Sequence, residues 1–254
     1  MRLLAELAKS ARQREFDLIP TPVKAPSLAK ALREKPGVIA ELKPASPTQG
    51  EMRLIGNGEE MARLFLAAGA IGISALTEPE KFGGSPSLLA TAVRAGGPVL
   101  MKDFVVTDRQ LALAQQAGAS AVLLILPLLN EEHSEWASPE QAIAAAHARG
   151  LEVLLEVYDD EEYLLASLLE ADMVGINNRD LRDDALPVDL ERAIGVLGRM
   201  GALDVPVLSL SGAETPDDVR AAIRAGARGV LVGSALMRAD DPAAAMKRLA
   251  EGLT

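Results

Sequence analysis

A chain of 254 residues with 49% hydrophobic content carries enough apolar side chain for one large core, and its length fits a single barrel-sized domain better than two small ones. The net charge of −10 excludes an extended phosphate-binding face, so no nucleic-acid partner is expected, although a few inward lysines and arginines still suffice for a small anion. The chain has no cysteine, which excludes disulfides, thiolate nucleophiles and cysteine-ligated metals. Its two histidines, His133 and His147, have no metal-ligand spacing, so no metal is expected and catalysis must rest on Lys, Glu, Asn, Ser and Arg.

Residues 1–7 read as the start of an amphipathic helix, because Glu6 arrives too early for a signal peptide. The longest apolar run, residues 121–129, is too short to span a bilayer. A cytoplasmic protein without a membrane partner is therefore expected. Residues 1–36 form an extension ahead of the first strand, with one or two helices and a proline-spaced stretch over residues 20–26, placed to cap a barrel mouth or its loops.

The first strand-like run, Val38-Ile39-Ala40-Glu41-Leu42-Lys43, ends with a carboxylate and an ammonium two residues apart. Strand side chains alternate faces, so Glu41 and Lys43 point the same way. On an inward face the two charges are costly unless paired or used; on an edge strand they would form an ordinary exposed pair. Later runs close in the same manner: Val99-Leu100-Met101 on Lys102-Asp103-Phe104, Val153-Leu154-Leu155 on Glu156, and Met173-Val174-Gly175-Ile176 on Asn177-Asn178-Arg179.

Between these runs a motif recurs in which a helical segment, an Ala-Gly-Ala turn and an apolar run follow one another, at Gly69, Gly118 and Gly226. Glycine past a helix end permits the left-handed cap, and the apolar run after it reads as a buried strand. Strands are predicted near Val38, Ile71, Val99, Val122, Val153, Val174, Val207 and Val230, each followed by enough chain for a helix. Eight βα units in one domain predict an α/β fold of the (β/α)₈ TIM-barrel type with an N-terminal helical extension. A doubly wound open sheet is the alternative, and the Gly-rich dinucleotide fingerprint it would favour is missing after the first strand.

Active sites of such barrels lie at the C-terminal ends of the strands, with phosphate on the loops after strands seven and eight. Ser211-Gly212 follows the seventh strand and Gly233-Ser234 the eighth. Glycines there let backbone N–H groups approach an anion closely, and a helix opening at Ser234 turns its positive end toward it.

The ordered set of motifs resembles one family, indole-3-glycerol phosphate synthase, the ring-closing enzyme of tryptophan biosynthesis. The matching runs include Glu41-Leu42-Lys43 with Ala45-Ser46-Pro47, Leu76-Thr77-Glu78, Phe82-Gly83-Gly84-Ser85 and Lys102-Asp103-Phe104. They continue through Leu154-Leu155-Glu156-Val157, Asn177-Asn178-Arg179-Asp180-Leu181 and Val232-Gly233-Ser234-Ala235, spanning nearly the whole chain. The resemblance implies a carboxy-lyase that converts 1-(2-carboxyphenylamino)-1-deoxyribulose 5-phosphate to indole-3-glycerol phosphate with loss of carbon dioxide and water. No cofactor is implied, the partner is a small phosphorylated substrate, and the protein is expected to be a monomer or weak homo-oligomer.

By the same resemblance Lys102 is the general acid, Lys43 holds the anthranilate carboxylate, Glu156 is the general base and Glu41 keeps the lysines in register. Asn177 would bind the reacting hydroxyl region, Arg179 would order the polar network and Ser211 would contact substrate. Mutual repulsion is expected to lower the pKa of one lysine. Ser46, Gly212, Gly233 and Ser234 are expected at the substrate or phosphate, and Phe82, Phe104, Leu126 and Leu181 are expected to wall the aromatic ring. The chain departs from the pattern at Leu210, where the family usually places a glutamate between two serines, and its loop over residues 180–187 looks slightly long. A phosphoribosylanthranilate isomerase and a barrel that binds without turnover are the rival readings, the first disfavoured by the missing cysteine.

Overall fold

The computed structural model describes residues 2–16, 23–183 and 185–253. Part of the proline-spaced stretch (residues 20–22) and Asp184 of the long loop lie outside them. Two helices, α1 (Arg2–Gln13) and α2 (Leu28–Glu34), precede the first strand. Eight barrel strands follow among the described residues: β1 (Gly37–Leu42), β2 (Gly72–Leu76), β3 (Val99–Lys102), β4 (Ala121–Ile125), β5 (Glu152–Val157), β6 (Met173–Asn177), β7 (Val207–Leu210) and β8 (Gly229–Val232), with a short antiparallel ribbon, Ala45–Ser46 against Gly50–Glu51, after the first. They pair in parallel in chain order and close between β8 and β1, where Gly37 faces Gly229. Closure leaves no sheet edge, which removes the exposed edge-strand alternative for Glu41 and Lys43.

Helices run between the strands: α3 (Gly58–Ala67), α4 (Pro86–Val93), α5 (Asp108–Ala117), α6 (Pro139–Ala148), α7 (Asp160–Ala166), α8 (Glu191–Met200) and α9 (Pro216–Arg224). After β8 come α10 (Ser234–Arg238) and α11 (Pro242–Ala250). The three motif glycines Gly69, Gly118 and Gly226 all take positive φ, the backbone state that ends a helix and that a Cβ disfavours.

Strand alternation sorts the core into two populations. Val38, Ala40, Val99, Met101, Val122, Val153, Val174, Val207 and Val230 pack outward against the helices. Ile39, Leu100, Leu123, Leu154, Leu208 and Leu231 fill the barrel interior together with Leu28 and Leu32 of α2. A Cβ at Gly72 would lie 2.9 Å from Leu28 Cδ1, and one at Gly229 would lie 3.1 Å from Leu32 Cδ2, so α2 seals the end where the strands begin. Glu152 fixes it there: its carboxylate accepts the N–H groups of Leu28 (2.9 Å) and Ala29 (3.1 Å) and the Ser27 hydroxyl, which offsets the positive helix start.

Helix α1 covers the opposite end. Leu4, Leu7, Ala8 and Ala11 join Phe104, Leu128, Leu181 and Leu186 in the interior cluster. At its exit Arg14 grips Asp103 with both terminal guanidinium nitrogens, at 2.6 and 3.1 Å. Asp103 also accepts from Thr77 Oγ1 (2.5 Å) and Phe104 N (2.7 Å), so the residue after Lys102 is held from three sides. The described part of the proline-spaced stretch runs to the other end, where Ala25 N donates to Gly118 O at 2.8 Å. Among the described residues no helix is long and apolar enough to cross a membrane.

Candidate active site

One step along each strand from the apolar layer, the inward positions become polar. Glu41 follows Ile39 on β1, Lys102 follows Leu100 on β3, Glu156 follows Leu154 on β5 and Asn177 follows Gly175 on β6. All four line one cavity with Lys43, Arg179 and Ser211, and Phe82, Phe104, Leu181, Leu123 and Ile125 supply its apolar surface. Three cationic side chains, Lys43, Lys102 and Arg179, thus share the cavity with the carboxyls of Glu41 and Glu156 within an acidic protein. The Asp103 carboxyl lies beside them but is committed to Arg14.

Glu41 sits between the lysines, its Oε2 3.3 Å from Lys43 Nζ and its Oε1 3.5 Å from Lys102 Nζ. Burial alone would raise the Glu41 carboxyl, but the ammonium groups of Lys102 and Lys43 overcome it and hold its pKa below the ordinary glutamate range. Lys43 is lowered, by burial first; Glu41 opposes this, and Lys102 and Arg179 add to the lowering. Repulsion between lysines is therefore a minor part of the shift, because a closed barrel mouth strips water from the ammonium.

Glu156 moves the other way. Burial raises its pKa against the pull of Lys102 and the hydrogen bonds from Asn177 and Tyr158, and Glu41 adds a like charge. Asn177 Nδ2 donates to Glu156 Oε1 at 2.9 Å, while Asn177 Oδ1 accepts Arg179 N at 2.9 Å. The Asn-Asn-Arg run so ties the carboxyl to the backbone turn that carries Arg179, whose guanidinium donates to Leu186 O at 3.1 Å.

A second cavity opens beside the first, lined by Lys43, Arg179, Gln49, Ser211, Gly212, Gly233 and Ser234. Ser211 and Gly212 have φ of 66° and 91°, and Asn178 Nδ2 pins Ser211 O at 3.0 Å. A non-glycine residue in the left-handed region is uncommon and costs backbone strain, which the surrounding hydrogen bonds must hold. A Cβ at Gly233 would collide with Glu41 Oε2 and lie 3.1 Å from Glu41 Cδ, so only glycine lets this loop come so near the carboxylate. Glu214 also borders the cavity, and its charge is engaged by Arg238.

Ser46 lies in a third, smaller cavity with Leu3 and Leu7 of α1, Phe82, Phe104 and Leu181. The sequence places Leu3 and Leu7 on an amphipathic helix but does not assign them to the site, because an amphipathic period shows an apolar face but not what it docks on. Glu78 of the Leu76-Thr77-Glu78 run shapes the loop that presents Phe82, accepting backbone N–H from Glu80, Lys81 and Phe82 at 2.8–2.9 Å.

Leu126 is the residue that falls outside these cavities. A 3₁₀ turn over Leu126–Leu128 breaks the strand alternation, and Leu126 packs into the helix-facing core, leaving Leu123 and Ile125 on the cavity wall. Tyr158 was likewise missed, because a tyrosine two residues past a glutamate in an apolar run reads as core.

The indole-3-glycerol phosphate synthase family model matches residues 3–249. The chain belongs to the indole-3-glycerol phosphate synthase family. An indole-3-glycerol phosphate synthase of Carboxydothermus hydrogenoformans is 39% identical over 96% of this chain and 90% of its own length. That of Methanopyrus kandleri is 42% identical over 89% of this chain and 87% of its own. A solved thiamine phosphate pyrophosphorylase from Pyrococcus furiosus superposes with a TM-score of 0.60 at 21% identity, covering 87% of this chain and 97% of that one, a likeness of fold alone.

Leu210 is buried on the inner face of β7, paired in register with Asn177. A Cβ on Gly175 would lie 2.6 Å from Leu210 Cδ1, so the leucine occupies the space beneath Asn177 that the missing side chain at Gly175 leaves open. Leu210 contributes packing and no charge, and Glu41 and Glu156 line the cavity beside it.

Proposed function

We propose that this chain closes the indole ring of indole-3-glycerol phosphate as a cytoplasmic enzyme, a monomer or weak homo-oligomer, acting on 1-(2-carboxyphenylamino)-1-deoxyribulose 5-phosphate. The supporting observation is the pairing of Glu41 with Lys43 and Lys102 across one cavity from the Glu156–Asn177 pair. The phosphate would lie against Gly212, Gly233 and Ser234, with Ser211 contacting the chain of the sugar. The aromatic ring would lie among Phe82, Phe104 and Leu181, with Ser46 at its rim.

In this reading Lys43 and Arg179 hold the anthranilate carboxylate, and the ring carbon that bears it attacks the ribulose carbonyl. Lys102 supplies the proton to the carbonyl oxygen as the carbon–carbon bond forms. Carbon dioxide then departs, its bonding electrons restoring the aromatic ring. Dehydration follows: Glu156 takes a proton, the hydroxyl leaves as water, and Asn177 orients both the carboxyl and the departing group. The raised pKa of Glu156 makes it a stronger base when ionised than an exposed glutamate. No electrons leave the substrate, so no redox cofactor enters the scheme.

Lys102→Ala tests the assignment. Turnover should fall by about 10²–10⁴, the usual contribution of a positioned acid, with an unchanged circular dichroism spectrum. Near-normal turnover would remove Lys102 from the chemistry. Leu210 is the observation that favours the rival barrel without turnover, which predicts substrate binding and no product in the unmodified protein.

A further inference from the structure

The two oxygens of Glu156 have unlike surroundings. Oε1 accepts the Asn177 amide at 2.9 Å and the Tyr158 hydroxyl at 3.0 Å. Oε2 is buried and has no hydrogen-bond partner, in a side chain that lines the central cavity. Tyr158 is itself fully buried. Its ring lies 4.9 Å from the Arg182 guanidinium, and its N–H donates to Glu162 Oε2 at 2.9 Å. Arg182 is in turn bound to Asp180 (3.0 Å), Asp159 (2.8 Å) and Glu162 (3.3 Å). The hydroxyl is therefore fixed on Oε1 from behind, by groups on α7 and on the loop after β6.

We propose that Tyr158 is a positioning residue that, with Asn177, reserves Oε1 as an acceptor and makes Oε2 the oxygen at which Glu156 takes its proton. This rests on the reading of Glu156 as the base. A proton on Oε1 would face two donor hydrogens, whereas a proton on Oε2 keeps both hydrogen bonds. In the dehydration step an O–H bond forms at Oε2 as a C–H bond of the cyclised intermediate breaks. The C–H electron pair becomes the new ring double bond, and the hydroxyl leaves as water with a proton from a site ammonium. Oε1 keeps its two donors throughout.

The groups that set the ionisation of Glu156 are Lys102 from β3, Glu41 from β1, Asn177 from β6 and the Tyr158 hydroxyl. Glu162, Asp180 and Arg182 act from behind Tyr158. Loss of the hydroxyl removes one donor to the carboxylate and leaves the rest in place.

Tyr158→Phe keeps the ring under Arg182. The acid limb of kcat/KM should move upward by roughly 0.5–1 pH unit, the effect of one hydrogen bond on a carboxylate, with KM unchanged. Global replacement of tyrosine by 3-fluorotyrosine makes the phenol a stronger donor without removing an atom, and should move the limb downward. The only other tyrosine, Tyr163, bonds to Gly201 O, away from the cavity. Glu156→Gln is measured in parallel and should lower turnover by about 10²–10⁴. If it does and both tyrosine forms superimpose on the unmodified pH profile, the role of Tyr158 is overturned while the base stands. If Glu156→Gln turns over normally, the base reading fails and the proposal with it.

Discussion

Replacing Glu41 by glutamine keeps the side-chain shape and removes the charge that two lysines share. With an effective dielectric of about 20, unit charges near 3.4 Å attract by about 5 kcal/mol, so the two ion pairs at 3.3 and 3.5 Å lose on the order of 10 kcal/mol of attraction. The variant also escapes the cost of burying a carboxylate, several kcal/mol, and Lys43, whose pKa is already lowered, relieves itself by shedding a proton. The net loss expected at pH 7 is about 3 kcal/mol, the lower end for leaving buried charge uncompensated.

The sign of the pH dependence follows from Lys43, whose folded pKa is already lowered and falls further without Glu41. Between the folded and unfolded pKa values the unfolded chain binds more protons, so stability rises with pH across that window. The window is wider in the variant, and its deficit should shrink from pH 7 toward pH 10. Urea unfolding followed by the fluorescence of the single tryptophan, buried Trp136, measures this. A loss under about 0.5 kcal/mol, the level of an exposed surface pair, or one equal at both pH values, would refute the charge argument.

Three further outcomes separate stability from chemistry. Glu152→Ala should cost roughly 2–4 kcal/mol, since it removes charge-assisted bonds to Ser27, Leu28 and Ala29 at the sealed end of the barrel; kcat and KM should not change, and a large loss of turnover at full folding would contradict the assignment of that end to structure. Ser234→Asp should raise KM for the phosphorylated substrate by setting an anion in the loop cavity, and an unchanged KM would count against the phosphate site. The acid limb of kcat/KM should lie above the ordinary glutamate range, because Glu156 must be ionised to act and burial raises its pKa; a limb at or below that range would remove Glu156 as the titrating base.

Most of the barrel was readable because buried parallel strands are nearly continuous apolar runs, and the polar residue that ends each run stands out against them. The same alternation that buries Val38 and Ala40 outward places Ile39 and Glu41 inward, and the runs that end on Lys102, Glu156 and Asn177 are legible as strands closing on polar residues, although the roles expected of those residues came from the family resemblance. Leu126 escaped this logic because a 3₁₀ turn resets the phase just where the strand ends. That the N-terminal extension caps a barrel mouth was expected, but the residues α1 meets were not, since Leu4 and Leu7 announce an apolar face while Phe104 and Leu181, in the same cluster, lie far along the chain. Tyr158 was invisible for a different reason: its value lies in a hydroxyl aimed at one oxygen, which a residue pattern does not encode. A lowered pKa on one of the two lysines was expected from their mutual repulsion; that it falls on Lys43, and chiefly through burial, is a property of the assembled barrel.

Turnover is the most direct test of the account. The purified protein is given 1-(2-carboxyphenylamino)-1-deoxyribulose 5-phosphate without added metal or cofactor, and the indole fluorescence of the product is followed. The account predicts steady formation of indole-3-glycerol phosphate with Leu210 in place. Phosphate-dependent binding without product would contradict it and make the chain a binding barrel whose chemistry ended with that leucine.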